Sequence, residues 1–160
     1  MSIRKTSLQT WALIAEISGA IAVVLSVVYL AVQVSDNNRL LRSQAHYNAL
    51  ELAQGPLEML VDNEDLARVV VQCDAEPNSV GPTDWERCAN YYFMLFNGWE
   101  YLYYQNIDGS IPPQLFRGAD AIFKQFVQTK PGYQKFWADF QVAFDEPFRS
   151  YADSEFTRID

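Results

Sequence analysis

Reactive side chains are few in this sequence, and their spacing limits the chemistry they could support. His46 is the one histidine. A Ser-His or Cys-His nucleophile pair, or a histidine-bearing metal site, would rest on it alone. Ser43 precedes it and Glu51 follows it at a spacing that makes no catalytic triad. The acid pairs Glu64-Asp65 and Asp145-Glu146 suit helix starts better than an acid–base dyad. Asp62-x-Glu64-Asp65 lacks the glycine and the distal glutamate of a calcium loop. No P-loop, GxGxxG or GxSxG pattern occurs. These observations lead us to expect no catalytic residue, no metal site, no cofactor and a non-enzymatic role.

Two further features carry chemistry of another kind. Cys73 and Cys88 do not form CxxC, which disfavours a thioredoxin-type or zinc reading. They fall near the end of one predicted helix and the start of the next, ends that meet in an antiparallel hairpin. A disulfide there would close a loop of about 15 residues and contribute roughly 3 kcal/mol, in an oxidising compartment. Two small buried thiols are the alternative. Glu16 is an ionisable residue inside a long apolar run, a costly position that by default suggests function. A ring of Glu16 side chains would make an ion- or proton-conducting oligomer. The plainer reading is that Glu16 lies only ~7 Å of helix beyond Trp11, shallow enough to reach the headgroups.

The element that positions Glu16 is the run over residues 12–32, ALIAEISGAIAVVLSVVYLAV, in which Glu16 is the one charge. At ~1.5 Å per residue it spans ~32 Å, the thickness of a bilayer core. Trp11 and Tyr29 suit the two interfaces. A cleaved signal peptide would have a shorter apolar region and a small-x-small site after it. Gln33-Val34-Ser35-Asp36 supplies no such site. We therefore expect a retained transmembrane anchor over residues 1–34. Ala12, Ala15, Gly19, Ala22 and Ser26 recur at alternating steps of three and four, forming one small-residue stripe. Such stripes let helix backbones approach closely in lipid, so we expect a transmembrane helix–helix interface there.

Glu16 apart, all 20 acids follow Val34, as do all of the 12 bases except Arg4 and Lys5. The part beyond the anchor therefore carries roughly −9, which disfavours nucleic acid as a partner. Its abundant aromatics argue against disorder. Arg4 and Lys5 on one flank nearly balance Arg39 and Arg42 on the other. By the positive-inside rule the expectation is an N-terminus in the cytoplasm and the domain outside, with a cytoplasmic domain as the alternative.

Helix formers continue from the anchor to Gln54, and Gly55-Pro56 reads as a stop. The pattern predicts one helix over about 8–54, with a stalk at 35–56 and an acidic helical domain at 57–160. A second helix begins near Asn63, capped by Asp62 or Asn63, and ends before Glu76-Pro77. Thr83-Asp84-Trp85-Glu86 reads as a capping box for a third helix, with Thr83 as N-cap. That helix is uncharged over residues 89–99, ANYYFMLFNGW, and is expected to be buried all round. The aromatic side chains of 84–106 could line a small-molecule pocket; a packed core is the simpler reading. Ser110 is expected to cap a fourth helix with Pro112 and Pro113 in its first turn. A short fifth helix holds Tyr133, Phe136, Trp137 and Phe140, and Asp145-Glu146-Pro147 begins a last turn or short helix with Phe148 and Tyr151 facing in. No strand-like alternation occurs. The expected fold is all-α: one transmembrane helix continuing into a stalk, then a small helical bundle.

The run WALIAEISGAIAVVLSVVYLAVQVSDNNRLLRSQA resembles the start of a group of small, functionally uncharacterised bacterial single-pass membrane proteins. FWADFQVAFDEPFRSYAD is similar to that group's C-terminal pattern of paired aromatics, an acid, then Phe-Arg-x-Tyr-x-Asp. The resemblance covers the anchor and the tail, and the middle only in its aromatic helical character. It implies a bacterial inner-membrane protein with a helical domain, periplasmic in the expected orientation, and brings no activity or catalytic residues. The reading is a membrane-anchored module that contacts lipid and forms a homo-oligomer, or serves as accessory subunit among other membrane subunits.

Overall fold

The computed structural model describes residues 3–156, with side chains from Leu8 onward. Arg4 and Lys5, on which the orientation argument depends, lie outside the described side chains. All regular elements among the described residues are helical. They are α1 (Ile3–Asp62), α2 (Glu64–Ala75), α3 (Pro82–Ile107), α4 (Pro113–Thr129), α5 (Pro131–Phe140), a 3₁₀ turn (Gln141–Ala143) and α6 (Phe148–Phe156). The chain divides into two compact units, Met1–Leu41 and Arg42–Asp160.

The division corrects the expected boundary at residue 56. Ala49 is buried in a small cluster with Leu102 and Ile111, so the segment from Arg42 onward is part of the packed unit and not a bare stalk. Gly55-Pro56 does not stop α1, which runs on to Asp62. Proline lacks the N–H that would reach the carbonyl four residues back, here Leu52. Pro56 is itself buried. Gly98 of α3 lies so near that a Cβ there would come 3.8 Å from the Leu52 oxygen. Burial of the proline ring and close approach of α3 override the local helix-breaking preference.

Helix starts follow proline more than side-chain caps. The Asn63 side chain caps α2, accepting from the Leu66 N–H at 2.9 Å. The capping box expected at Thr83 does not form: α3 begins two residues earlier, with Gly81 as N-cap and Pro82 in the first position. Ser110 does not cap α4 either. Pro112 precedes another proline and is held extended, at φ −59° and ψ 134°, so the helix can begin only at Pro113.

The core of the second unit is aromatic. Tyr92, Phe96 and Trp99 fall on one face of α3 and are fully buried. Phe136 and Trp137 of α5, Phe144, and Phe148 of α6 close over them. Phe96 stacks on Trp137 with centroids 5.3 Å apart, and Trp99 stacks on Phe123 at 5.1 Å. Each such side chain contributes about 1.5–3 kcal/mol on burial. The α3 helix is not buried all round as expected, since Asn90 and Phe93 reach solvent. An apolar residue at one edge of a core-facing stripe is ordinary; Cys88, Ala89 and Tyr91 join Tyr92, Phe96 and Trp99 in the core, while Asn90 and Phe93 are exposed.

Gly132 marks the tightest approach. A Cβ there would lie 2.5 Å from the Cys73 carbonyl oxygen and closer still to the Tyr92 hydroxyl. Gly132 sits in the first turn of α5, where its missing side chain lets α2 and α5 touch.

Candidate functional site

In the first unit the small-residue stripe stands wholly uncovered. Ala12, Ala15, Glu16, Gly19, Ala22 and Ser26 are all exposed, and nothing lies within 4 Å of a Cβ built on Gly19. The Ser26 hydroxyl donates back to the Ala22 carbonyl at 2.8 Å, which satisfies it within its own helix. Tyr29 and Gln33 pair in the same way, the Gln33 amide donating to the tyrosine oxygen at 2.7 Å. These three polar side chains are satisfied within their own helix, and most of the surface around them is aliphatic. This stretch contains a segment long and apolar enough to cross a membrane, with none of that segment buried.

In the second unit the structure joins Cys73 to Cys88 through a disulfide, with a Cα–Cα distance of 6.5 Å. The bond ties the end of α2 to the start of α3, and both residues are fully buried. Next to it, Asp74 accepts from the Tyr92 hydroxyl and from the Lys130 ammonium, each at 2.7 Å. Burial pushes Tyr91 up to about 12, helped by the Asp74 charge. Burial likewise raises Tyr92, which in addition donates its proton to Asp74.

A second network lies between α3, α4 and α6. Asp120 is buried and accepts from the Trp99 indole at 2.9 Å and from the Tyr151 hydroxyl at 2.6 Å. Lys124 pairs with Asp120 at 2.9 Å and with the buried Glu155 at 3.2 Å. Burial alone would lower the Lys124 pKa, but hydrogen bonds to Tyr151, Asp120 and Glu155 outweigh it and raise it. Burial and the bond to Asp120 push Tyr151 up to about 12. Among the described residues no buried side-chain nitrogen or oxygen lacks a partner. Closed networks of this kind orient the helices that carry them.

Tyr92, Phe96 and Trp99 of α3 serve the core. An apolar cleft of about 170 Å³ does open beside α3, but its wall combines aliphatic residues such as Leu52, Leu95 and Leu102 with Phe123 and Phe126 of α4, and holds no aromatic side chain of α3. His46 lies elsewhere, on an open groove with Ser43, and Glu51 does not line that groove. Among the described residues no three His, Cys, Asp or Glu gather as metal ligands would.

Two of these features were out of reach of the sequence. Asp74 and Lys130 are distant in the chain, and Glu155 meets Lys124 only through packing of α6 on α4. The Asp120–Lys124 pair did carry a signal, the four-residue spacing of a helical ion pair. Comparison with known proteins finds no matching family model, no matching curated protein and no matching solved structure.

Proposed function

We propose that this chain is a non-enzymatic, single-pass bacterial membrane protein. Its apolar helix anchors it in the inner membrane and associates through the stripe Ala12, Ala15, Gly19, Ala22 and Ser26, and its helical bundle is held in the periplasm. The association is with further copies of the chain; an accessory role in a larger membrane complex is the variant in which the stripe meets a different subunit. The observation that carries this reading is the uncovered apolar surface of the first unit, on which Ser26, Tyr29 and Gln33 are satisfied within the helix. So large a contiguous apolar surface is stable only under lipid or a partner. The resemblance to bacterial single-pass proteins supports the inner membrane, and the Cys73–Cys88 bond supports an oxidising compartment.

The test is the mass of the particle released from native membranes by mild detergent, for the wild type and for Gly19→Leu. The reading expects a homogeneous multiple of the chain mass, or a defined complex with foreign subunits, and a shift toward the monomer in Gly19→Leu. A wild-type monomer in mild detergent and in membranes contradicts it. Compartment is tested separately: in cells quenched with acid and alkylated in denaturant without reductant, Cys73 and Cys88 should resist alkylation, and ready alkylation would place the domain in the cytoplasm.

A further inference from the structure

We infer that the groove holding Arg42 and His46 binds the phosphate of an anionic glycerophospholipid. The inference rests on the membrane-anchored reading and adds a ligand to it. Arg42, Ser43 and His46 line one wall of the groove, and the other wall includes Ser110 and Ile111 from the loop between α3 and α4. The groove encloses about 640 Å³, room for a headgroup and the first carbons of its chains.

Three observations point to an anion. The chain carries 20 acids and 12 bases, and yet no Asp or Glu is among the residues lining this groove. Every described lysine and arginine other than Arg42 and Arg117 has an acid partner. Of the two exceptions, Arg42 faces the groove and Arg117 does not. Arg42 thus presents an uncommitted guanidinium, whose fork of N–H donors matches two phosphate oxygens. His46 follows one helical turn later, and the Ser43 and Ser110 hydroxyls add neutral donors.

Two observations point to a lipid as the source of that phosphate. Leu50 and Ile111 give the groove an apolar side, which a free phosphate would not use and a glycerol backbone with acyl carbons would. Arg42 also follows the end of the apolar run, Val32, by ten residues, so the intervening chain tethers it within roughly 35 Å of that end.

The experiment uses the full chain in mild detergent, stripped of native lipid and titrated with phosphatidylglycerol or phosphatidylcholine, with bound lipid counted by native mass spectrometry. The wild type should retain phosphatidylglycerol over phosphatidylcholine by about tenfold. Arg42→Gln with His46→Gln should lose that preference, Arg42→Lys should keep most of it, and Arg117→Gln should leave it unchanged. All three positions are exposed, and an unaltered unfolding midpoint verifies that each variant is folded. The inference is overturned by equal retention of the two lipids, by a preference that survives the double substitution, or by its equal loss in Arg117→Gln. It is also overturned if millimolar inorganic phosphate displaces phosphatidylglycerol completely, since the ligand would then be a free anion. Failure of the chain to fractionate with membranes would defeat the anchored reading itself; lost selectivity with anchoring intact defeats this inference alone.

Discussion

From Leu8 to Leu41 every side chain is exposed, isoleucines and valines included, whereas beyond Arg42 the rings of Tyr92, Phe96 and Trp99 are sealed from solvent. The two stretches are comparably apolar in places and differ in what the apolar atoms meet. In the second unit, aromatic side chains on α3, α5 and α6 bury one another, and each embedded polar group finds a partner within the unit. In the first, aliphatic and small residues dominate a single exposed helix, on which Ser26 bonds back to its own backbone and Gln33 to Tyr29 one turn away. A helix built like this buries none of its apolar span, whereas a core built like the other supplies its own apolar surroundings. Substitutions that cripple one unit should therefore leave the other intact.

The sharpest break in that contrast is Trp99→Ala. It empties the centre of the aromatic core and removes a donor from Asp120. Loss of about 3–5 kcal/mol is expected in chemical denaturation, with membrane association unchanged. Gly132→Ala comes next. Its Cβ would press on the Cys73 backbone carbonyl, which cannot rotate away, so a loss of about 1–3 kcal/mol is expected from the same measurement. Asn63→Ala removes the one side-chain cap seen at α2 and should cost about 1 kcal/mol, read as a small fall in the thermal midpoint.

The smallest effect at neutral pH is electrostatic and grows only in alkali. Tyr91 and Tyr151 are both raised from the ordinary tyrosine value of 10.0 to about 12. Above pH 10 the unfolded chain gives up these protons while the folded one keeps them. Stability is therefore whole below pH 10 and falls as pH rises from 10 through 12. A pH series of denaturation midpoints checks the sign. Tyr151→Phe, which has no proton to lose, should flatten part of that decline.

Much of the helical layout was legible because the apolar spacing on α2, α4 and α5 repeats at three and four. The end of α2 at Glu76-Pro77 and the cap at Asn63 were legible for local reasons, a proline and an Asx side chain. Where local chemistry misled, proline was usually involved. Thr83 and Ser110 are adequate caps that lost to prolines already shaped for the first helical turn. Pro56 should have ended α1, and burial of its ring carried the helix past it. The Gly132 contact, the Asp74–Lys130 pair and the Asp120–Lys124–Glu155 network depend on which helices meet. Nothing in the order of residues announces that. The Arg42 groove was hidden for the same reason, since its far wall arrives from the α3–α4 loop.

Residues 12–32 should hold this chain in a bilayer. The direct measurement is alkaline carbonate extraction of membranes from cells producing the full chain. The protein should stay in the membrane pellet and be released only by detergent. Recovery in the carbonate supernatant would contradict that anchoring, and would require a protein partner to cover that helix instead.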